Sequence, residues 1–190
     1  MAVKWYTKAA EQGDAGGQAR LGWMYRTEKG VLQDYKMAVK WYTKAAEQGH
    51  AGAQANLAWG YYKGEGVLQD YKVAVKWYTK AAEQGEGRAQ TSLGGMYYDG
   101  EGVIQDYKMA VKWYTKAAEQ GDAGGQTHLA YSYANGKGVL QDDIYAHMWA
   151  SIASSNGNED GGKLMRGLVA ESMTPDQIAE AQRLARECVK

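Results

Sequence analysis

The sequence predicts an all-α fold, a right-handed α/α solenoid of 36-residue helix-turn-helix repeats with a C-terminal helical cap. Two observations carry this prediction. The string AVKWYTKAAEQG stands at 2–13, 38–49, 74–85 and 110–121, identical each time, and a diverged copy begins at Ala146. A second block, Val-Leu/Ile-Gln-Asp, keeps the same 36-residue phase from Val31 to Val139. A fixed period of this length is the signature of a protein built from stacked repeats.

Each repeat is expected to contain two helices. Over residues 37–48 the apolar side chains recur at spacings of three and four, which places them on one helix face, with lysines and Glu47 opposite. Residues 51–63 form the other predicted helix, whose inward stripe contains Gln54, Leu57, Ala58 and Tyr61. Two short helices cannot bury both of their faces alone, so the repeats have to stack on one another.

Capping residues mark the ends of these helices. Asp34 stands where an N-cap or first-turn acid belongs, and Gly49 stands where a glycine ends a helix. The segment 64–67 (GEGV) supplies the turn that follows the other helix. In the first full repeat Glu28 replaces the first glycine of this turn, so we expect a distorted loop there.

The period also divides the chain. Beyond 157 the repeat is lost: residues 160–171 read as a helix, and Thr174, Pro175 and Gln177 stand in the order of N-cap, N1 and N3 residues. The polar helix that follows is typical of a terminal cap. The predicted division is an incomplete repeat at 1–13, repeats at 14–49, 50–85, 86–121 and 122–157, and capping helices at 158–190.

The first predicted helix, residues 2–12, is the second helix of a repeat whose first helix is missing. Its apolar stripe of Trp5, Tyr6, Ala9 and Ala10 would then lack a covering helix. We therefore expect self-association through this helix, or a covering segment in a longer parent protein.

Composition and charge exclude several classes of protein. Lys+Arg and Asp+Glu are both 22, so the formal net charge is zero, and a nucleic-acid binder normally has a basic excess. Cys188 is the single cysteine, which rules out an intrachain disulfide. The sequence has no apolar run near 18 residues and no leader-like start, so we expect a soluble chain without membrane insertion. A periplasmic or secreted location stays open if the chain is a fragment that lacks its leader.

No catalytic, metal or cofactor site is predicted. The G-x-G segments at 64–66, 100–102 and 136–138 follow a helix rather than a strand, so they are interpreted as turns and not as phosphate cradles. None of the three histidines, His50, His128 and His147, has a second His or Cys at metal-ligand spacing. No serine, cysteine or histidine forms a nucleophile-and-base arrangement, so the chain is predicted not to be an enzyme.

The repeat resembles the Sel1-like repeat, a relative of the tetratricopeptide repeat. The shared pattern is A-x-x-x-L-G-x-x-Y-x-x-G-x-G-V-x-x-D-x-x-x-A-x-x-W-Y-x-K-A-A-x-Q-G, and residues 89–121 follow it almost position by position. The resemblance covers about residues 1–157. It implies adaptor or signalling-complex roles in bacteria. Many relatives carry paired cysteines that bridge the two helices, which this chain cannot do.

Three positions on each first helix of a repeat point away from the inward stripe, at about 100° per residue. These positions differ between repeats, whereas the second helices are nearly invariant. In a solenoid of this type the first helices line the concave surface, so these positions predict a ladder of partner-binding side chains. Its members are Arg20, Trp23, Thr27, Asn56, Trp59, Lys63, Ser92, Asp99, His128, Tyr131 and Asn135.

Polar side chains beside exposed aromatic rings are typical of protein-recognition surfaces. The predicted function is therefore a non-catalytic scaffold that binds a protein or peptide on this ladder. The alternative is that these positions differ between repeats only because a solvent-exposed face drifted after duplication. The tryptophans retained there argue against this alternative. A module that binds cell-wall glycan or another saccharide is the second functional hypothesis, and a hydrolase of cell-wall-like substrates is a distant third.

Overall fold

The computed structural model describes residues 2–188, so Met1, Val189 and Lys190, which the predicted terminal segments include, lie outside the described residues. The described chain is all-helical and contains no strand, which confirms the predicted fold class. The helices are α1 (Ala2–Glu11), α2 (Ala15–Thr27), α3 (Tyr35–Glu47), α4 (Ala51–Lys63), α5 (Tyr71–Glu83), α6 (Gly87–Asp99), α7 (Tyr107–Glu119), α8 (Ala123–Asn135), α9 (Asp143–Ser155), α10 (Glu159–Ala170) and α11 (Pro175–Cys188). We call α2, α4, α6 and α8 the first helices of their repeats, and α1, α3, α5, α7 and α9 the second helices.

The chain divides into two compact units. One unit runs to Ala89 and includes Glu101–Val103, and the other comprises Gln90–Gly100 and the chain from Ile104 onward. In the first unit, α2 packs against α1 and α3, and α4 packs against α3 and α5. In the second unit, α8 packs against α7 and α9, and α9 packs against α10 and α11. Helices α2, α4 and α8 are therefore each held between two second helices.

An aspartate begins each complete second helix. Asp34 accepts a hydrogen bond from the backbone N–H of Met37 at 2.9 Å, and Asp70 accepts one from Val73 at 3.0 Å. Asp106 and Asp142 cap α7 and α9 in the same way. The side chain satisfies a backbone donor that the helix itself cannot pair, so the predicted N-cap role of this aspartate is confirmed.

A residue in the left-handed conformation ends α2, α4 and α8. Gly64 has φ +73° and Gly136 has φ +65° at this position. Glu28 takes the same conformation, with φ +58° and ψ +31°. The expected distortion of the first loop is therefore wrong: the backbone keeps the turn of the other repeats and places a Cβ-bearing residue where glycine is favoured.

The second glycine of the G-x-G turn is required for two reasons: its φ is positive, and there is no room for a side chain. A Cβ atom on Gly66 would lie 2.2 Å from the carbonyl oxygen of Tyr35, the first residue of the preceding second helix. Gly138 stands in the same relation to Tyr107. The turn interpretation of G-x-G is thus supported, since these glycines allow the loop of one repeat to touch the backbone of the repeat before it.

The Trp-Tyr pair of the second helix lies mostly in the core. Tyr42 is 1% exposed and Trp41 is 7% exposed, and Trp113 and Tyr114 are buried to the same extent. Tyr42 packs among the alanines of α3 and against Leu57 of α4. Core packing, rather than a ligand cage, is therefore the role of these rings in α3 and α7.

The first helix of the chain, α1, is covered in part. Ala10 is buried and packs with Leu21 of α2 and Trp41 of α3, whereas Trp5 is 70% exposed. Tyr6 and Ala9 are half-buried. Only part of the predicted apolar stripe is therefore open, and self-association through this helix stays a prediction.

The two helices of the predicted cap follow the last repeat. Helix α11 begins with a reciprocal capping box, in which Gln177 accepts a hydrogen bond from the N–H of Thr174 at 2.8 Å and Thr174 accepts one from Gln177 at 3.3 Å. Helix α10 begins after Asn158, which caps it. Both helices pack on α9, so they cover the side of the last second helix that has no further repeat beside it.

Candidate functional site

The residues of the predicted ladder lie on the first helices α2, α4, α6 and α8, and several of them also contact rings of neighbouring second helices. We call this surface the first-helix face and define it by the eleven residues predicted above. The members on α2 and α4 belong to the first unit, and four of them form two pairs, each of one cation and one aromatic ring. The members on α6 and α8 belong to the second unit. The two sets are described separately.

On α2, a cation lies over an aromatic ring. The guanidinium carbon of Arg20 lies 4.3 Å from the centre of the Trp23 ring and 5.8 Å from that of Tyr6 in α1. Arg20 is exposed, while Trp23 is half-buried and packs against the core of the unit. Thr27 is turned to its own helix, since its hydroxyl donates to the Trp23 carbonyl at 2.8 Å. Arg20 and Trp23 thus form a cation–π pair on α2.

Helix α4 repeats this arrangement with different residues. The Nζ atom of Lys63 lies 5.0 Å from the Trp59 ring centre and 5.1 Å from that of Tyr62. The Trp59 and Tyr62 rings are themselves 6.0 Å apart. Asn56 is half-buried and donates to the carbonyl of Gly52 at 2.8 Å, so its amide nitrogen is engaged within the helix.

In the second unit the face contains a small aromatic pocket. Its volume is about 280 Å³, and it lies between α6 and α8 with a ring of α7 at its base. The His128 ring stacks on Tyr114 at 4.8 Å with 12° between the planes, and Tyr131 meets Tyr98 edge-on at 6.2 Å. The lining residues are Gly95, Tyr98, Asp99, Tyr114, His128 and Tyr131.

Burial sets the protonation of this pocket. Desolvation, and then a hydrogen bond with Tyr131, raise the pKa of Tyr98 to about 12, and desolvation raises the pKa of Tyr114 as well. Desolvation lowers the pKa of His128, although Asp99 and Asp122 act in the opposite direction. These shifts keep the rings of Tyr98, Tyr114 and His128 uncharged near neutral pH.

The remaining predicted members are less prominent. Ser92 is half-buried on α6 and does not line the pocket. Asn135 is exposed, but its amide donates to the carbonyl of Tyr131 at 2.9 Å. Thr27 and Asn56, like Asn135, donate a side-chain hydrogen bond to the backbone of their own helix.

Sequence reasoning missed one position of the face. Tyr62 and Tyr98 occupy equivalent places in successive repeats, and both stand beside predicted residues. Arg26 and Ala134 hold this position in the other repeats. The sequence contains the information needed to find this position, because its residue differs between repeats as the residues of the predicted ladder do. In addition, Tyr62 is three residues from Trp59, and residues three apart on a helix share a face.

Neither a metal centre nor a membrane span is found in the described chain. Residues 2–188 contain no group of three or more His, Cys, Asp or Glu side chains placed to hold a metal ion. Within the same residues, every helix is too short or too polar to cross a bilayer.

Paired helices in a 36-residue period, with a variable outward face on the first helix, define an α/α solenoid repeat protein. The chain belongs to the Sel1 repeat family, whose family model matches residues 1–14, 15–50, 51–86, 87–122 and 123–158. Proteins of this family are commonly protein-interaction scaffolds, and their solenoid is typically non-catalytic. No curated protein sequence matched the chain.

Several solved structures share the fold. One is a protective antigen of uropathogenic Escherichia coli strains that displays an SLR fold, with 38% identity and a TM-score of 0.93 over 99% of this chain. A Sel1 repeat protein from Oxalobacter formigenes has 37% identity and a TM-score of 0.86, covering 100% of this chain and 76% of its own. Cysteine-rich protein B of Helicobacter pylori has 26% identity and a TM-score of 0.56, covering 70% and 95% of the two chains. This chain spans 40% of the length of the Escherichia coli protein.

Proposed function

We propose that this chain is a non-catalytic scaffold that binds a partner protein or peptide through the first-helix face. The observation that carries the proposal is the pairing of cations with aromatic rings on α2 and α4, Arg20 over Trp23 and Lys63 over Trp59. Trp, Tyr and Arg dominate the energetics of protein interfaces. A partner can use the ring faces for apolar contact and the two cations for its carboxylates.

The differences between repeats support the same function. The second helices α1, α3, α5 and α7 have nearly the same residues, whereas the first-helix face changes from Arg20 to Asn56 to Ser92 to His128 along the chain. A surface that only had to be soluble would not need aromatic rings at these positions. The pocket beside Tyr131 gives the second unit its own place for an apolar side chain of a partner.

The experiment is an affinity capture from bacterial lysate and envelope fractions, read by mass spectrometry, with four baits. The wild type is compared with Arg20→Glu/Trp59→Ala, with Tyr131→Ala, and with the control Leu68→Ala/Lys72→Glu. The control changes one large apolar residue and one cation, both exposed and both outside the first-helix face. Circular dichroism and thermal unfolding verify that each bait is folded.

A protein retained by the wild type and the control, but lost by the Arg20/Trp59 variant, is the expected result. Its direct binding is then measured by calorimetry with the purified partner. Equal retention by all four baits would overturn the assignment of the first-helix face. Insoluble peptidoglycan and chitin serve as additional ligands: binding to either that depends on Trp59, with no protein partner, would replace the scaffold function with saccharide recognition.

A further inference from the structure

The second unit contains a larger cavity that does not belong to the first-helix face. It lies between α9, α10 and α11 and has a volume of about 870 Å³. None of the predicted partner-binding residues lines it. The volume falls within the range of about 300–1,000 Å³ that is usual for small-molecule sites.

The part of α9 that lines this cavity has changed relative to the other second helices. His147, Ile152 and Ser155 stand where the three earlier complete copies have valine, lysine and glutamate. Packing explains Ile152, which is buried against Ala185 of α11. Packing does not explain why His147 stands in place of valine. Because Ser155 replaces a glutamate, this position of the cavity wall carries no negative charge.

The charged side chains that line the cavity are all cationic. Lys163, Arg166 and Arg186 contribute to the wall, and no aspartate or glutamate does. Lys163 is paired with Glu159 within α10. Across residues 2–188 no ion pair involves Arg166 or Arg186, so no carboxylate neutralises these two charges. Apolar side chains such as Ile152 and Ala185 line the same cavity.

His147 adds an unsatisfied polar atom to the same wall. Its side chain is 3% exposed, and within the described residues its Nδ1 atom has no hydrogen-bond partner. Desolvation and the nearby charge of Arg166 lower its pKa, so the ring is neutral near pH 7. Buried polar atoms are normally paired, because leaving one unpaired costs about 1–3 kcal/mol. Packing within the described residues therefore leaves this polar atom of His147 unsatisfied.

We propose that this cavity binds a small organic carboxylate with an aliphatic or aromatic body. The carboxylate is held by Arg166 and Arg186 and reaches the ring of His147, and the body lies against Ile152 and Ala185. Guanidinium groups suit carboxylates because their N–H donors form two parallel, charge-assisted hydrogen bonds. The site is independent of the first-helix face, so it stands or falls separately from the proposed scaffold function.

Decanoate is a suitable probe, since it joins one carboxylate to an apolar chain. Titration of the full chain by calorimetry is compared with titration by decanol, which has the chain without the charge. Arg166→Gln and Arg186→Gln are each expected to weaken decanoate binding about tenfold, through loss of one charge-assisted contact. Arg183→Gln is the matched control, because Arg183 lies on α11, is paired with Glu180 and Glu187, and does not line the cavity.

Amide chemical shifts locate the binding. Decanoate is expected to move the signals of Ser151 and Gly167, which line the cavity, and to leave that of Ser92 unchanged. Absence of decanoate binding at millimolar concentration, equal binding of decanol, or equal weakening by Arg183→Gln would overturn the proposal. So would preferential binding of a short peptide through its free C-terminal carboxylate, which would make the ligand a protein terminus and not a small acid.

Discussion

The side-chain amide of Gln48 donates a hydrogen bond to the side-chain oxygen of Gln18 at 2.8 Å, across 30 residues of sequence. Gln18 is buried and itself donates to the carbonyl of Ala10, which belongs to the second helix before it. One glutamine thus joins the ends of two successive second helices through the first helix between them. The same relationship recurs within each unit, in the pairs Gln84–Gln54, Gln120–Gln90 and Asn156–Gln126.

Replacing Gln54 by alanine tests how much this relationship contributes. The substitution removes two hydrogen bonds, those of Gln54 with the Ala46 carbonyl and with the Gln84 amide. The carbonyl still accepts from the N–H of Gly49 and the amide still donates to the carbonyl of Lys80, so the expected loss in the free energy of unfolding is that of two ordinary hydrogen bonds, about 1–3 kcal/mol in total. Urea denaturation followed by circular dichroism measures it. Gln69→Ala is the control: Gln69 also donates to a carbonyl, that of Tyr62, but it is exposed, and its loss should cost about 0.5 kcal/mol or less.

A double-mutant cycle separates the pair from its surroundings. Gln84→Ala alone, and together with Gln54→Ala, should give an interaction energy of about 1 kcal/mol. Strict additivity of the two substitutions would show that the hydrogen bond between these glutamines does not stabilise the fold.

The two glycines of one turn should respond very differently to alanine. At Gly64 a Cβ atom would meet its nearest neighbour at 3.5 Å, so Gly64→Ala carries only the penalty of the left-handed conformation, about 1 kcal/mol. At Gly66 the added atom also meets the Tyr35 carbonyl at 2.2 Å, and we expect a further loss of about 1–3 kcal/mol. Thermal and urea unfolding of both variants provide the comparison. Equal losses would mean that the loop and α3 are not in close contact.

Glu28 offers a stabilising substitution. Its left-handed conformation costs an L-residue with a side chain about 1 kcal/mol, so Glu28→Gly is expected to raise the free energy of unfolding by roughly that amount. Lys29→Gly is the control, since Lys29 does not have a positive φ and the glycine should only add flexibility. A destabilised Glu28→Gly would indicate that the carboxylate makes a contribution larger than the backbone penalty.

Alkaline pH should destabilise the chain through Tyr42. Burial raises the pKa of its hydroxyl to about 12, whereas a tyrosine in the unfolded chain titrates near pH 10. The stabilisation is therefore complete below about pH 10 and is lost as the pH rises towards 12, with a total on the order of 2 kcal/mol. Urea unfolding at about pH 9 and pH 11.5 measures the difference.

Tyr42→Phe is the variant that isolates this effect. The Tyr42 hydroxyl has no hydrogen-bond partner within the described residues, so the substitution should cost little near neutral pH. It should also reduce the loss of stability between the two alkaline conditions. An unchanged pH dependence would assign the alkaline loss to other groups.

Much of this architecture can be predicted from the sequence, because the period repeats every local signal. Asp34 caps a helix and Gly64 ends one through interactions with their own neighbours in the chain, and both roles follow from residue type and position. The inward position of Tyr42 follows from the same periodicity, whereas the family resemblance rests on the shared residue pattern of 89–121. Helical spacing also groups Arg20 with Trp23, but that the guanidinium lies over the ring was not predicted, and the role of both in partner binding stays a prediction.

The features that escaped prediction depend on contacts distant in sequence. Predicting the hydrogen bond between Gln54 and Gln84 requires knowing which helices are neighbours. A glutamine on an apolar stripe does not by itself indicate its partner. The cavity beside His147 depends on how α10 and α11 fold back on α9, which no repeat copy records. The predicted distortion of the loop at Glu28 was wrong for a different reason. Glu28 adopts the left-handed conformation itself, so the loop does not need to rearrange.

The hydrogen bond between Gln18 and Gln48 has an equivalent in each later repeat, and the contact between Gly66 and Tyr35 recurs between Gly102 and Tyr71 and between Gly138 and Tyr107. A further 36-residue copy inserted at a repeat boundary would find on both sides the partners that it needs, and a deleted copy would leave none stranded. The length of the chain is thus adjustable in whole modules without redesign of the core. Each added module would contribute one more first helix together with the glutamine that fastens it, so the number of repeats and the stability would increase together.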